Sequence, residues 1–144
     1  MSKIAALGLV AALAFTGCGR SENNPSDGGT KAAADNTICK DAKGDTKVGL
    51  AFDVGGVGDQ SFNDSAYAGL KKAVAELGVG CTTGEAVQDE AESAREDRLR
   101  TMADAGMNPI IGVGFAYSEA VDKVSADYPD TNFAVIDGFD PTGD

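Results

Sequence analysis

The sequence has no histidine and few basic residues. Its 12 Lys and Arg face 23 Asp and Glu, which gives a net charge of −11 over 144 residues. Because histidine is the usual acid or base at neutral pH, its absence excludes a histidine-activated nucleophile, including one built on Ser61. A phosphate backbone repels an acidic chain, so we expect no nucleic-acid partner.

Motifs of common enzyme and metal sites are missing as well. There is no GxxxxGK[ST] and no HExxH, and Gly56-Val57-Gly58 lacks the last glycine of a dinucleotide-binding fingerprint. The stretch DVGGVGDQSFND, residues 53–64, contains acids but not the alternating ligand spacing of a calcium loop. Paired carboxylates could perform acid–base chemistry, but the sequence places no two of them close together. We therefore predict no catalytic residue, no metal and no cofactor.

The apolar run near the N-terminus, Ile4 to Phe15, is too short to cross a bilayer. It follows a single cation, Lys3, and leads through small residues to Cys18, which is typical of an export signal. Thr16-Gly17-Cys18 resembles a bacterial lipobox, in which cleavage leaves Cys18 as the lipid-modified first residue, although Phe15 stands where leucine is usual. The alternative is an ordinary secretory signal with a chance cysteine.

The residues after Cys18 predict a flexible tether. The stretch GRSENNPSDGGTKAAADNT is rich in small and polar residues and has little to bury. We predict a signal peptide over residues 1–17, lipidated Cys18 with a tether over 18–45, and a folded lobe over 46–144. Because anionic lipid repels an acidic surface, acyl chains such as palmitate would hold the protein on the extracytoplasmic face of the cell membrane.

Two further cysteines, Cys39 and Cys81, remain in the predicted mature chain. Disulfides persist in exported proteins, so this even pair predicts a Cys39–Cys81 disulfide. Two free thiols are the alternative.

From Thr46 onward, strand-like and helix-like patterns alternate. Short apolar runs predict four strands, and helical patterns with apolar residues every three or four positions separate them. Such alternation implies right-handed crossovers and a parallel sheet with helices on both faces, which is a doubly wound α/β lobe. The predicted strands cover residues 46–52, 79–87, 108–114 and 131–137, and the predicted helices cover 61–77, 89–106 and 116–128.

Candidate binding residues follow the carboxyl ends of three of these strands. In an open parallel sheet, ligands bind at this edge, near the point where the strand order reverses. Asp53 and a glycine-rich loop follow the first strand, Gly112–Phe115 ends the third, and Asp137 ends the fourth. The second strand adds Gln88 and Asp89, which are weaker candidates.

The side chains at this edge suit a neutral, polar, planar molecule. Phe62 could stack on a flat ligand, Asn63 can donate and accept, and Asp53 and Asp137 accept from hydroxyl or amino groups. The glycines of the loop would let backbone amides approach a ligand closely. Each feature also has a structural interpretation: Asp53 or Asn63 as a helix cap, Phe62 as a hydrophobic staple, Asp137 and the glycines as turn residues. The convergence of these features favours a binding site.

Two stretches resemble the basic membrane protein family of ABC-transporter substrate-binding lipoproteins. They are KVGLAFDVGGVGDQSFNDSAYAGLKKA and IIGVGFAYSEAVDKVSADYPDTNFAVIDG, and the resemblance spans residues 46–140. Characterised members of that family include purine nucleoside receptors. The resemblance implies a lobe of the type I periplasmic-binding-protein kind, one of two lobes that clamp a nucleoside between them. Family members run to about twice this length, so we expect the chain to be the front part of a longer protein without its second lobe.

Carried over by motif, the resemblance implies roles for five residues. Asp53 would hydrogen-bond the base, Phe62 would stack on it, and Asn63 would support the same contact. Phe115 would lie at the cleft, either as part of its wall or directly behind it, and Asp137 would face the ligand from the fourth strand, toward the ribose. The protein would deliver the nucleoside to an ABC permease and its ATPase without performing chemistry, and we expect a monomer.

Other functions remain open. A sugar or another small polar solute could replace the nucleoside, because Phe62 can also pack on a sugar face. A nucleoside-processing surface enzyme would release the base. A ligand sensor would lack a neighbouring permease and ATPase.

Overall fold

The fold is given by a computed structural model that describes residues 37–40 and 42–143. The predicted signal peptide, Cys18 and the predicted tether up to residue 36 lie outside the described residues. Among the described residues, no helix is both long and apolar enough to span a bilayer. The elements are α1 (Thr37–Lys40), β1 (Lys47–Phe52), α2 (Phe62–Leu77), β2 (Gly80–Glu85), α3 (Glu92–Asp104), β3 (Ile110–Val113), a 3₁₀ turn (Phe115–Tyr117), α4 (Ser118–Ser125) and β4 (Phe133–Ile136).

The strands form a parallel sheet in the order β2-β1-β3-β4. Leu50 of β1 lies opposite Thr83 of β2 and Ile111 of β3, and Ile111 lies opposite Ala134 of β4. The chain runs outward from β1 to β2 and then returns across β1 to β3. The strand order therefore reverses between β1 and β3. The predicted α/β class with a parallel sheet is confirmed.

Side chains of β1 alternate between two cores on opposite faces of the sheet. Ala51 packs with Leu99 of α3 and with residues of α4 on one face. Leu50 and Phe52 pack with Leu70 of α2 on the other face. Because helices occupy both faces, the loops that follow the strands meet at the carboxyl edge.

The ends of the helices follow the local backbone conformation. Helix α2 ends at Gly78, whose φ of 65° is left-handed, and this end was predicted. Helix α3 is shorter than the predicted helix 89–106, because Asp89 has a φ of 59° and cannot belong to a right-handed helix. Helix α4 is shorter than predicted as well, since a 3₁₀ turn replaces its first residues.

Helix α1 lies inside the segment for which the sequence predicts a tether. Cys39 of α1 forms a disulfide with Cys81 of β2. Ile38 packs against the core that contains Leu50 and Phe52. Residues 37–40 are therefore attached to the folded lobe by a covalent bond and by apolar contacts, so the lobe starts before the predicted residue 46.

Candidate functional site

Asp59 organises the loop that connects β1 to α2. Its carboxylate accepts hydrogen bonds from the backbone N–H groups of Ser61, Asn63 and Asp64 at 2.8, 3.0 and 3.0 Å. Burial raises the pKa of Asp59, but these backbone hydrogen bonds outweigh burial and hold the pKa below its ordinary value. Asp59 thus satisfies the first amides of α2, a capping role that the sequence offered to Asp53 or Asn63.

Asp64 holds the middle of the same loop. Its carboxylate accepts from the N–H groups of Gly58 at 2.6 Å and Gln60 at 3.0 Å. The N–H of Gly56 bonds to the carbonyl of Asp53 at 3.1 Å. Gly56 and Gly58 have φ values of 56° and 105°, so both act as turn formers. The predicted approach of loop amides to a ligand is wrong for these two glycines, because their amides are already bonded within the loop.

Asn63 holds the backbone of Asp53. Its Oδ1 accepts from the Asp53 N–H at 3.0 Å, and its Nδ2 donates to the Asp53 carbonyl at 3.3 Å. Asn63 is only 2% exposed. Its amide therefore faces the protein interior and can act on a ligand only through Asp53.

Asp53 lies where the strand order reverses, between the ends of β1 and β3. Its Oδ1 accepts from the N–H of Val54 at 2.8 Å and lies 3.9 Å from Nη2 of Arg95. Its Oδ2 lies beside Gly114, where an added Cβ would be 2.6 Å away. The Asp53 side chain is 29% exposed. It is therefore a partly exposed acceptor at the edge where a ligand is expected.

Three exposed phenylalanines occur near the ends of three strands. Phe62 follows the loop after β1, Phe115 follows β3, and Phe139 follows β4. All three side chains are about half exposed or more, at 50%, 63% and 54%. Such rings supply apolar, stacking surface at the carboxyl edge. Phe139 was not predicted as a site residue, although its position two residues after Asp137 could have indicated it.

Phe62 also borders an apolar groove between α2 and the sheet. The groove has a volume of about 440 Å³ and is lined mainly by aliphatic side chains, among them Leu50, Ala66, Ile111 and Ile136. The position of Phe62 is therefore compatible with stacking on a ligand and also with a structural role beside α2.

Asp137 follows β4 in a left-handed conformation, with a φ of 57° that aspartate tolerates. The residue is exposed. Ser118 of α4 holds the chain that follows, since its Oγ accepts from the N–H of Phe139 at 3.0 Å. Asp137 thus lies one strand away from Phe115, on the same edge of the sheet.

The segment after β2 contributes different residues from those predicted. Gln88 and Asp89 are exposed, and the Gln88 amide donates to Asp89 at 3.2 Å. A partly buried ion pair lies next to them: Arg98 donates to Glu90 at 2.8 and 3.0 Å. Burial raises the pKa of Glu90, but the hydrogen bonds from Arg98 and the backbone outweigh burial and lower it. Glu90 precedes α3 and is eight residues from Arg98, so the pair lacks the three- or four-residue spacing of a helical ion pair and could not be found from that pattern.

Tyr117 connects that ion pair to the end of β1. Arg98 donates to the Tyr117 hydroxyl at 2.9 Å, and the hydroxyl donates to the carbonyl of Phe52 at 3.2 Å. Burial raises the pKa of Tyr117 to about 12, so its hydroxyl stays protonated and remains a donor at neutral pH. Hydrogen bonds that run from Glu90 through Arg98 and Tyr117 therefore hold the carbonyl of Phe52, the residue just before Asp53.

Over residues 37–40 and 42–143, the structure contains no group of three or more acidic, cysteine or histidine side chains arranged to hold a metal ion. The chemistry at the edge is instead that of hydrogen-bond acceptors and aromatic rings.

Comparison with known proteins identifies the family of the chain. Residues 46–143 match the family described as ABC transporter substrate-binding protein, PnrA-like. The chain belongs to this family. Members of the PnrA-like family are substrate-binding proteins of ABC transporters and do not form an enzyme family.

Three PnrA-like relatives illustrate the match. An uncharacterized lipoprotein of Pyrococcus furiosus is 40% identical over 95 residues, which are 63% of this chain and 22% of that protein. The ABC transporter nucleoside-binding protein BmpA of Lactococcus lactis subsp. cremoris is 29% identical over 96 residues, 66% of this chain and 27% of its own length. A crystal structure of an ABC transporter solute-binding protein from Aeropyrum pernix K1 superposes with a TM-score of 0.59 at 35% identity, covering 67% of this chain and 25% of that chain. The chain thus spans between 22% and 27% of these relatives.

Proposed function

We propose that the chain forms one lobe of an extracytoplasmic, lipid-anchored binding protein that captures a purine nucleoside for import. The observation that carries the proposal is the placement of Asp53, which Asn63 fixes at the reversal point of a PnrA-like sheet. A relative named as a nucleoside-binding protein supports this choice of ligand.

Each residue at the edge has a specific task in this proposal. Asp53 accepts a hydrogen bond from the base, and Asn63 supports the contact by holding the Asp53 backbone. Phe62 stacks on the base, and Phe115 forms a wall of the cleft. Asp137 accepts from the hydroxyl groups of the ribose. These tasks use acceptors and aromatic rings, which suit a neutral nucleoside.

The whole protein would close a cleft around the nucleoside and pass it to an ABC permease and its ATPase. The chain spans only 22% to 27% of the relatives described above, so the opposite wall of the cleft lies in a second lobe under this proposal. We propose that the protein acts as a monomer and leaves the nucleoside chemically unchanged.

The anchor in this proposal is a lipid on Cys18, which lies outside the described residues. Relatives named as lipoproteins support it. A Cys18→Ala variant should leave the membrane fraction, and intact-mass analysis of the wild type should show an acylated chain that starts at Cys18. Membrane association of Cys18→Ala would contradict the proposed anchor.

Calorimetric titration tests the proposed ligand. The protein is expressed from the whole reading frame that contains this chain and is titrated with adenosine, guanosine, inosine, uridine and ribose. We expect the tightest binding to a purine nucleoside, and a Phe62→Ala variant should lose about 1 to 3 kcal/mol of stacking energy. Tightest binding to ribose would favour a sugar-binding protein. Release of free base during incubation would favour a nucleoside-processing enzyme.

A further inference from the structure

A charged cluster lies against Asp53 near the start of α3 and consists of Glu90, Glu92, Arg95 and Arg98. The side chains of Arg95 and Arg98 are only 12% and 15% exposed. Both arginines belong to one helix and both face Glu90, yet their hydrogen bonding differs. This difference indicates that they have separate roles.

Arg98 uses three of its five N–H donors. It makes two hydrogen bonds to Glu90 and a third to the Tyr117 hydroxyl, all at 3.0 Å or less. Through Tyr117, it supports the carbonyl of Phe52 at the end of β1. Arg98 is therefore part of the framework beneath the site.

Arg95 lies near three carboxylates but within hydrogen-bonding distance of none. Its nitrogens are 3.9 Å from Asp53, 3.8 Å from Glu90 and 3.8 Å from Glu92. Its Nε is buried and has no hydrogen-bond partner among the described residues. Because an arginine has five N–H donors in a rigid fork, Arg95 retains donors that point toward acids. Its guanidinium also lies 5.9 Å from the centre of the Tyr117 ring.

Asp53 is the partner of Arg95 that reaches the carboxyl edge. Its side chain is 29% exposed, whereas that of Glu90 is 6% exposed. Arg95 faces Oδ1 of Asp53, and Oδ2 lies on the side of Gly114. A shift of about 1 Å would bring Arg95 within the usual N–H···O distance of Oδ1.

We propose that Arg95 is a positioning residue that orients the Asp53 carboxylate for ligand selection. Arg95 attracts Oδ1 of Asp53 in the free protein. It forms a hydrogen bond to Oδ1 when a donor group of the ligand bonds to the Asp53 carboxylate. An oriented carboxylate accepts and cannot donate, so the pair selects ligands that present an N–H or O–H at this point. The selection rests on the proposed function, whereas the pairing of Arg95 with Asp53 does not.

The charges around Asp53 explain why Arg95 should matter. Without its guanidinium, Asp53 and Glu92 would both lose the arginine that lies within 4 Å of them, whereas Glu90 would keep Arg98. Repulsion between like charges would then favour other orientations of the Asp53 side chain. Arg95→Gln should therefore disturb Asp53 while leaving the Arg98 framework in place.

A double-mutant cycle between Arg95→Gln and Asp53→Asn tests the pairing without any ligand. Urea unfolding of the wild type, both single variants and the double variant should reveal coupling of about threefold to tenfold in the unfolding equilibrium constant. Arg95→Lys, which keeps the charge, should recover part of it. The matched control is Arg100→Gln on the same helix, whose ion pairs are with Glu96 and Asp127, and it should show no coupling to Asp53. Additive effects of Arg95→Gln and Asp53→Asn would overturn the pairing.

Titration with guanosine, inosine, adenosine and uridine tests the selection. Arg95→Gln should lower the affinity for the preferred nucleoside about tenfold and shift the order of preference toward that of Asp53→Asn, while Arg100→Gln stays within about twofold of the wild type. An unchanged affinity and preference in Arg95→Gln would overturn the role in selection. A wild type that binds none of these nucleosides overturns the proposed function alone, since the unfolding cycle decides the pairing by itself.

Discussion

The loop 53–64 and the segment 137–143 lie at the same edge of the sheet but are held in different ways. In the loop, the side chains of Asp59, Asn63 and Asp64 bond to the backbone of their own segment. In the segment after β4, the residues are exposed, Thr142 bonds to the Asp140 carboxylate within the segment, and Ser118 of α4 supplies a hydrogen bond from outside it. One side of the candidate site is therefore organised before a ligand arrives, whereas the other depends more on what it contacts.

Among the substitutions that compare these two regions, removal of the Asn63 amide should reduce the free energy of unfolding most. Asn63→Ala leaves the N–H of Asp53 without its partner and removes one of the two hydrogen bonds to the Asp53 carbonyl, which keeps the bond from Gly56. We therefore expect a loss of about 2 to 3 kcal/mol in the free energy of unfolding. Urea denaturation followed by circular dichroism measures it. Asn132→Ala is the control, because that side chain is exposed and, within residues 37–40 and 42–143, bonds to Asn108 alone, so it should lose less than about 1 kcal/mol. Equal losses would show that the loop is no better organised than the surface.

A methyl group at Gly58 should have the next largest effect. The φ of 105° at Gly58 is unfavourable for alanine, so Gly58→Ala should destabilise the protein by about 1 to 2 kcal/mol. Gly143 has a φ of 75° in the exposed segment. Its backbone can relax, and Gly143→Ala should change the free energy of unfolding by less than about 0.5 kcal/mol. Thermal melts of both variants compare the two regions directly, and a larger shift for Gly143→Ala would reverse the comparison.

Loss of the Asp59 charge should have a smaller effect that depends on pH. Because folding lowers the pKa of Asp59, its carboxylate stabilises the fold above its unfolded pKa of about 3.9, and this stabilisation is lost as the pH falls through the folded value. At pH 7, Asp59→Asn should lose about 1 kcal/mol, because a donor group replaces one of the two oxygens that accept from backbone N–H groups. The difference from the wild type should shrink as the pH falls below about 3.9 and through the folded pKa. Unfolding curves at a series of pH values from 7 downward check the trend, and a difference that stays constant would contradict it.

Substitution of Asp137 should have the smallest effect on stability. The residue is exposed and follows the last strand, and asparagine also tolerates its left-handed backbone, so Asp137→Asn should change the free energy of unfolding by less than about 0.5 kcal/mol. Its affinity for the nucleoside should still fall by about tenfold if Asp137 bonds to the ribose. Calorimetry on the folded variant separates the two effects. A destabilised variant would assign Asp137 to the framework instead.

The sheet could be predicted from the sequence because its signals are local. Short apolar runs mark the strands, and Gly78 ends α2 where its left-handed backbone requires it. The edge that carries Asp53 and Phe115 then follows from parallel pairing alone. The start of the lobe could not be placed so well, because α1 depends on the Cys39–Cys81 disulfide and on apolar contacts with distant residues.

The contacts within the site were harder to predict than its position. An asparagine after a glycine loop suits a ligand contact and a structural contact equally, and only the fold shows that Asn63 turns toward Asp53. The pairing of Arg95 with Asp53 joins α3 to the end of β1, and no local pattern reports such a contact. Asp59 was missed as a cap because it bonds to the first amides of α2 from outside the helix.

The most direct test of the proposed site is calorimetric titration of an Asp53→Asn variant of the whole protein against adenosine, guanosine, inosine and uridine. The substitution keeps the shape of the side chain but replaces one acceptor oxygen with a donor group. If Asp53 accepts a hydrogen bond from the base, affinity for the preferred base falls about tenfold or more and the order of preference among the bases changes. Affinities and preferences identical to those of the wild type would contradict this hydrogen bond and would leave Asp53 as a structural residue of the loop.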